Sequence, residues 1–321
     1  MKRSTFQLLA FVIIAFFTYN TVSHPFQGDI AAILSKDIAE VAQKKDALYV
    51  EIEQKATAYE VAPQDAKIDK VWKAQPGLNG LKVDLEASYK NMKKSGEFDE
   101  KKLVMEQISP KIHLSDLPPS PIYRGHPEKP MVSFLINVAW GNEHIPGMLE
   151  TLKNHGVQAT FFLEGRWVKE NPSMAKMIID AGHEVGNHSY THPNMKTLGS
   201  TAVREQLLKT NEVIEAISGS KVTWFAPPSG SYRDEVVNIA HEMKLGTIMW
   251  SVDTIDWQKP SPDVLVNRVM GKIHPGAMVL MHPTPSTANS LETLITSIKD
   301  KGLELGTVSS LLSEERIVHH N

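Results

Sequence analysis

The chain contains no cysteine. That absence excludes a disulfide framework, a thiolate zinc site, a cysteine nucleophile and a lipid-modified amino-terminal cysteine, so any metal must be held by histidine and carboxylate side chains. No charge predominates either: 34 Lys and Arg stand against 37 Asp and Glu, a formal net charge of -3. Without a basic surface, nucleic acid is not an expected partner. Long apolar runs are also missing, since even the widest, Phe6 to Tyr19, falls short of the roughly 20 residues that span a bilayer. At 321 residues, with 41% hydrophobic and 22% charged residues, the composition is that of a globular protein with one large domain and an accessory piece.

Lys2 and Arg3 precede ten consecutive apolar residues, Leu8 to Phe17, the charge-then-apolar order of an export signal. The nearest cleavage site, Thr21-Val22-Ser23, is a poor small-x-small match, so residues 1–23 read as a signal peptide or an uncleaved signal anchor. Either way the bulk of the chain is expected outside the membrane, which it meets only through this segment. From Ile30 to about Val61, apolar residues recur at spacings near three and four and predict an amphipathic helix. Residues 62–107 mix turn signals, such as Gln75-Pro76-Gly77, with short apolar runs, as a small α/β unit would. An accessory region over 24–117 is therefore expected, followed by a proline-dense extended linker over 118–130.

From Met131 to about residue 315 the pattern becomes regular. Apolar runs at Phe134–Ala139, Ala159–Leu163, Val222–Phe225, Thr247–Trp250 and Ala277–Met281 alternate with helical stretches at Ile145–Asn154, Ser173–Ala181, Thr201–Ile217, Asp234–Met243 and Ser290–Lys301. Such βα repetition predicts parallel strands, an α/β barrel rather than an open sheet, and functional residues at the carboxyl ends of the strands.

Three of those ends carry histidine or aspartate. His188 and His192 form an H-x-x-x-H pair in a Gly/Asn/Pro-rich loop after Glu184-Val185, a spacing that places two imidazoles on one face of a helical turn. Asp253-Thr254-Ile255-Asp256-Trp257 follows the strand ending at Trp250, and His282 ends another. Singly, each is as readily a capping or structural residue; together, at strand ends, they suggest one site.

Ala159-Thr160-Phe161-Phe162 with Gly165, Gly182 to His188, the histidine pair, Pro227-Pro228 before Gly230, Asp256-Trp257 and Leu280-Met281-His282 resemble, in order, the successive motifs of the NodB-homology polysaccharide deacetylases, carbohydrate esterase family 4. The likeness runs from Met131 to about Leu312. It implies a distorted (β/α) barrel and a divalent metal, usually zinc, held by aspartate and two histidines, here His188 and His192. It implies His282 as general acid, Asp256 as the aspartate that orients it, and the backbone N–H of Ser229 as an oxyanion donor. The substrates it implies are N-acetylated glycans such as peptidoglycan or N-acetylglucosamine oligomers. Trp140, Tyr190, Pro227, Pro228 and Trp257 are the expected substrate-binding residues, and a monomer is expected.

The likeness breaks at the first motif. Its two aspartates have no counterpart in Phe134 to Gly141; Asn137 aligns with the base, and the metal-binding aspartate falls on Val138 or Ala139. An amide cannot take a proton from water at neutral pH. The third motif's arginine, the partner of that base, is Ala226 here, so acid and cation are lost together and neither is left buried alone. Two neutral imidazoles would hold zinc weakly, and Glu143, six residues beyond Asn137, is the nearby carboxylate in reach by sequence to substitute. Two readings compete: a deacetylase of low or altered activity, and a catalytically silent glycan-binding protein on the same scaffold. A scaffold role for the amino-terminal region ranks behind both.

Overall fold

The computed structural model describes residues 46–317; the export signal and residues 30–45 of the expected helix lie outside the described residues. Among the described residues no helix is long and apolar enough to cross a membrane. The chain forms two compact units.

The smaller unit holds residues 46–57 and 84–104. Helix α1 (Ala47–Ala56) starts where the Asp46 carboxylate accepts the Leu48 N–H, and α2 (Leu85–Met92) starts the same way from Asp84 to Ala87 N–H. Leu48, Ile52, Ala56 and Met92 are buried. Tyr49 donates to Glu86, Tyr89 donates to Asp46, and the two rings meet edge to face with centroids 5.6 Å apart. The helix expected to reach Val61 stops at Ala56: Val61 pairs antiparallel with Leu81, and Pro63 disfavours helical backbone at Ala62 before it.

The larger unit holds, among the described residues, 58–83 and 105–317. Two short antiparallel pairs open it, β1 (Lys67–Asp69) with β2 (Lys73–Gln75), and β3 (Gly80–Val83) with β4 (Met105–Ile108). The segment 118–130, expected as a linker, is woven into this unit instead. Ile122 is buried, donates its N–H to Thr247 and accepts from Met249 N–H, while Ala74 N–H binds Pro121 O. An apolar residue flanked by strand edges gains more by completing them than by staying solvated. The expected boundary near 118–130 therefore gives way to one that groups 58–83 with the main body.

The main sheet is parallel throughout. β5 (Met131–Val138), β6 (Thr160–Leu163), β7 (Glu184–Asn187), β8 (Trp224–Phe225), β9 (Gly246–Thr247), β10 (Val252–Asp253) and β11 (Met278–Met281) lie in the order β10-β11-β5-β6-β7-β8-β9, with β12 (Glu304–Gly306) also on β5. It is a curled half-barrel carrying α3 (Ile145–Asn154), α4 (Gly165–Glu170), α5 (Pro172–Asp180), α6 (Ser200–Ser218), α7 (Asp234–Glu242), α8 (Pro262–Met270), α9 (Pro285–Asp300) and α10 (Val308–Leu312).

Alternation along β5 sets the two faces. Val132, Phe134, Ile136 and Val138 enter the core that holds Leu152, Ile178, Leu207 and Leu294 of the helices. Met131 and Leu135 enter a second core with Phe162, Ile248 and Met278. Asn137 and Ala139 continue that second, inward face and line the cleft beyond it.

Candidate active site

The chemistry-bearing residues converge on a cleft of about 500 Å³ at the carboxyl ends of the strands, lined by Asn137, Ala139, Trp140, His188, His192 and Ser229, together with Trp250, Asp253, Trp257, Leu280 and His282. A larger groove of about 910 Å³ reaches Met131, Gln158, His183 and Leu305, near the strands' amino ends, and holds none of these residues.

His188 follows β7 directly. Its Nδ1 lies 2.8 Å from the carbonyl oxygen of Ala226. A carbonyl only accepts, so Nδ1 carries the hydrogen and Nε2 keeps its lone pair for the cleft. Burial pushes the imidazole down to about 3, so it is neutral at physiological pH. Burial also lowers His192, whose ring stands edge-on to that of His188 with centroids 5.0 Å apart. No helical turn joins the two, contrary to the expectation from their spacing. The loop turns because Ser189 N–H binds Asn187 Oδ1 at 2.8 Å and because Ser189 (φ 62°) and His192 (φ 52°) adopt left-handed backbone. Non-glycine residues take that conformation at a cost that the surrounding packing must offset.

His282 follows β11. Its Nδ1–H donates to Asp256 Oδ1 at 2.8 Å, and its backbone N–H donates to Asp256 Oδ2 at 2.6 Å. Thr287, in the first turn of α9, donates its hydroxyl to the same Oδ2 at 2.6 Å, so the fully buried Asp256 carboxylate is held from three sides. Trp140 lies nearly parallel to the His282 ring, at 8° and 6.0 Å between centroids.

The carboxyl end of β5 carries no acid. Asn137 is 4% exposed and its Oδ1 has no partner among the described residues. Strand pairing sets Val138 beside Leu163 and Leu163 beside Asn187, so the next step outward puts Ala139 level with His188. On the other side Met281 pairs with Ile136, which puts Asn137 level with His282. The missing carboxylates are thus missing at 137, 139 and 140 alike, and the residue facing the histidine pair is Ala139 rather than Asn137.

Four expected residues stand elsewhere. Tyr190 packs against Gly165 of α4, with Lys209 of α6 over its ring, and does not line the cleft. Pro227 and Pro228 are buried behind the loop that presents Ser229, whose own backbone is left-handed at φ 56°. Glu143 is exposed beside His144 and does not line the cleft. Asp253 and Thr287 belong to the site without having been singled out. Asp253 sits in the motif with Asp256, three residues before it, whereas nothing in the sequence marks Thr287.

The donors that remain do not fit a resident divalent metal. Two neutral imidazoles offset none of its charge, and among the described residues no three His, Asp or Glu side chains stand close enough to share an ion.

Comparison with known proteins identifies the architecture. The polysaccharide deacetylase family model matches residues 124–248. The chain is 56% identical to the uncharacterized protein YlxY of Bacillus subtilis strain 168 over 99% of this chain and 100% of that one. It is 35% identical to a peptidoglycan-N-acetylglucosamine deacetylase of Bacillus cereus over 54% of this chain and 66% of that one. Among solved structures it matches BA3943, a carbohydrate esterase family 4 pseudoenzyme from Bacillus anthracis, with TM-score 0.80 and 63% identity over 85% of this chain and 97% of that one. A mutant of that pseudoenzyme, described as having restored enzymatic activity, matches with TM-score 0.80 and 62% identity over 84% and 99%. The curled parallel sheet, the ordered motifs and these relatives agree: the chain belongs to the polysaccharide deacetylases of carbohydrate esterase family 4.

Proposed function

We propose that this protein is exported and binds cell-wall amino-sugar glycan, peptidoglycan or chitin-like oligomers, in the cleft, with hydrolysis of the acetamide low or absent. The observation that carries this reading is the acid-free end of β5, where Asn137, Ala139 and Trp140 face the histidines. Losing a positioned general base lowers turnover by about 10²–10⁴-fold. The relatives support both halves: one is named for peptidoglycan deacetylation and another is a pseudoenzyme.

In this reading Trp140 and Trp257, at 48% and 59% exposure, offer flat apolar faces to sugar rings. Ser229 offers its backbone N–H to an acetamide oxygen. Zinc, if present, is held weakly by His188 and His192 alone. The intact His282–Asp256 pair favours residual deacetylation as the second reading, since it preserves the proton donor to a leaving amine.

The test is acetate release by the full chain from N-acetylglucosamine oligomers and peptidoglycan, with added zinc and with chelator, beside calorimetric binding of the same oligomers. Binding with release at the background rate supports the first reading; chelator-sensitive release above background supports the second; neither binding nor release refutes both.

A further inference from the structure

The groups facing the cleft are unbalanced. His188 has spent its N–H on Ala226 and presents an acceptor. Asn137 Oδ1 is a second acceptor, buried and unpartnered among the described residues, and a buried acceptor left so is costly. The Asp253 carboxylate lines the same space, and the Asp256 carboxylate stands behind His282. Among the described residues no lysine or arginine lines it, and Ala226 occupies the place where the family's arginine would stand. Beside the Ser229 backbone N–H the site offers lone pairs and negative charge, with no cationic side chain to match them.

We infer that this cleft receives the primary ammonium of a de-N-acetylated amino sugar, so that the protein favours glucosamine-containing glycan over the fully N-acetylated form. The inference rests on the glycan-binding reading and sharpens its ligand. An ammonium brings three N–H donors, one positive charge and no acceptor, which matches His188 Nε2, Asn137 Oδ1 and the carboxylate of Asp253. An acetamide brings a single N–H and no charge, so even with its carbonyl oxygen on the Ser229 N–H it leaves the Asp253 carboxylate and a further acceptor unmatched. The class of reaction that must supply such a ligand is hydrolysis of a glycan acetamide, in which water cleaves the C–N bond to leave acetate and the sugar ammonium. The protein would then act after a deacetylase, recognising that enzyme's product.

The test titrates the full chain by calorimetry with glucosamine tetramer, with N-acetylglucosamine tetramer and with tetralysine, at one ionic strength and at a pH where the sugar amine is protonated. The expected result is glucosamine tetramer bound about tenfold or more tightly than the N-acetylated tetramer, about 1.4 kcal/mol, with tetralysine weaker than both. Asn137→Leu and Asp253→Asn should each cut that preference about threefold or more. Asp253 lies at the end of β10, so its variant serves if Asn137→Leu fails to fold. Equal or tighter binding of the N-acetylated tetramer overturns the inference and leaves the glycan-binding reading standing. Tetralysine binding as tightly as glucosamine tetramer, or a preference unmoved in both variants, also overturns it. No binding of either sugar overturns both.

Discussion

Ala139 stands level with His188 across β5, β6 and β7, on the face that lines the cleft. A carboxylate introduced there would sit beside the paired imidazoles and supply the anionic ligand that they lack. Ala139→Asp is therefore expected to tighten zinc binding about tenfold or more, whereas Asn137→Asp, level with His282, should gain less. Competition with a chromogenic chelator measures both. Equal gains, or a larger one for Asn137→Asp, would refute this assignment of the vacant position.

The second prediction concerns Thr287. Its hydroxyl donates to a buried carboxylate at 2.6 Å, so Thr287→Val leaves Asp256 with one bond fewer in a place water does not reach. The expected cost is about 1.5–3 kcal/mol of stability, read by urea denaturation. A variant as stable as the parent would show that Asp256 is held by His282 alone.

Gly141 follows the cleft-lining end of β5 with φ +84°, and a Cβ there would come within 2.1 Å of Pro283 O, the carbonyl next after His282. Gly141→Ala is expected to cost at least about 2 kcal/mol through the backbone conformation and the clash together, and to displace the His282 loop. Thermal denaturation and the His282 ring resonances in NMR would report the two effects; an unchanged melting temperature would contradict the geometry.

His183 gives a pH dependence away from the cleft. It accepts the Ala159 N–H on Nδ1, and burial lowers its imidazole from 6.5 to about 4. Between those values the unfolded chain binds a proton that the folded chain does not, so this contribution is complete above about pH 6.5 and is lost as pH falls toward 4. Between pH 7 and pH 5 the loss should be about 2 kcal/mol. His183→Gln keeps an acceptor and removes the titration, so its stability should fall less over that interval. A slope as steep as the parent's would show that His183 does not contribute.

Much of this architecture was legible in the sequence because βα repetition leaves a strong pattern. α3 has the expected bounds, and α5, α6 and α7 differ by one residue at an end or at both. α9 begins five residues earlier than its apolar periodicity suggests, because Thr284 caps it and Pro285 fits the first helical turn. Motif order singles out the histidines and Asp256, and the structure brings His188, His192 and His282 to one cleft with Asp256 behind His282. What composition could not show was depth: Tyr190, Pro227 and Pro228 sit in the right motifs but pack behind the cleft. Nor could spacing show that the H-x-x-x-H pair meets through two left-handed residues rather than a helix turn. Ile122 was hidden by its prolines, which suggested a solvated linker where the chain completes two strand edges.

We propose that the cleft binds glycan while the end of β5 lacks both the base and the anionic metal ligand that acetamide hydrolysis needs. Acetate release from N-acetylglucosamine oligomers is measured in saturating zinc for the parent chain and for the Asn137→Asp/Ala139→Asp double variant. The parent should release acetate at the background rate and the variant measurably, in a chelator-sensitive way. Chelator-sensitive turnover by the parent equal to or above that of the variant would contradict it.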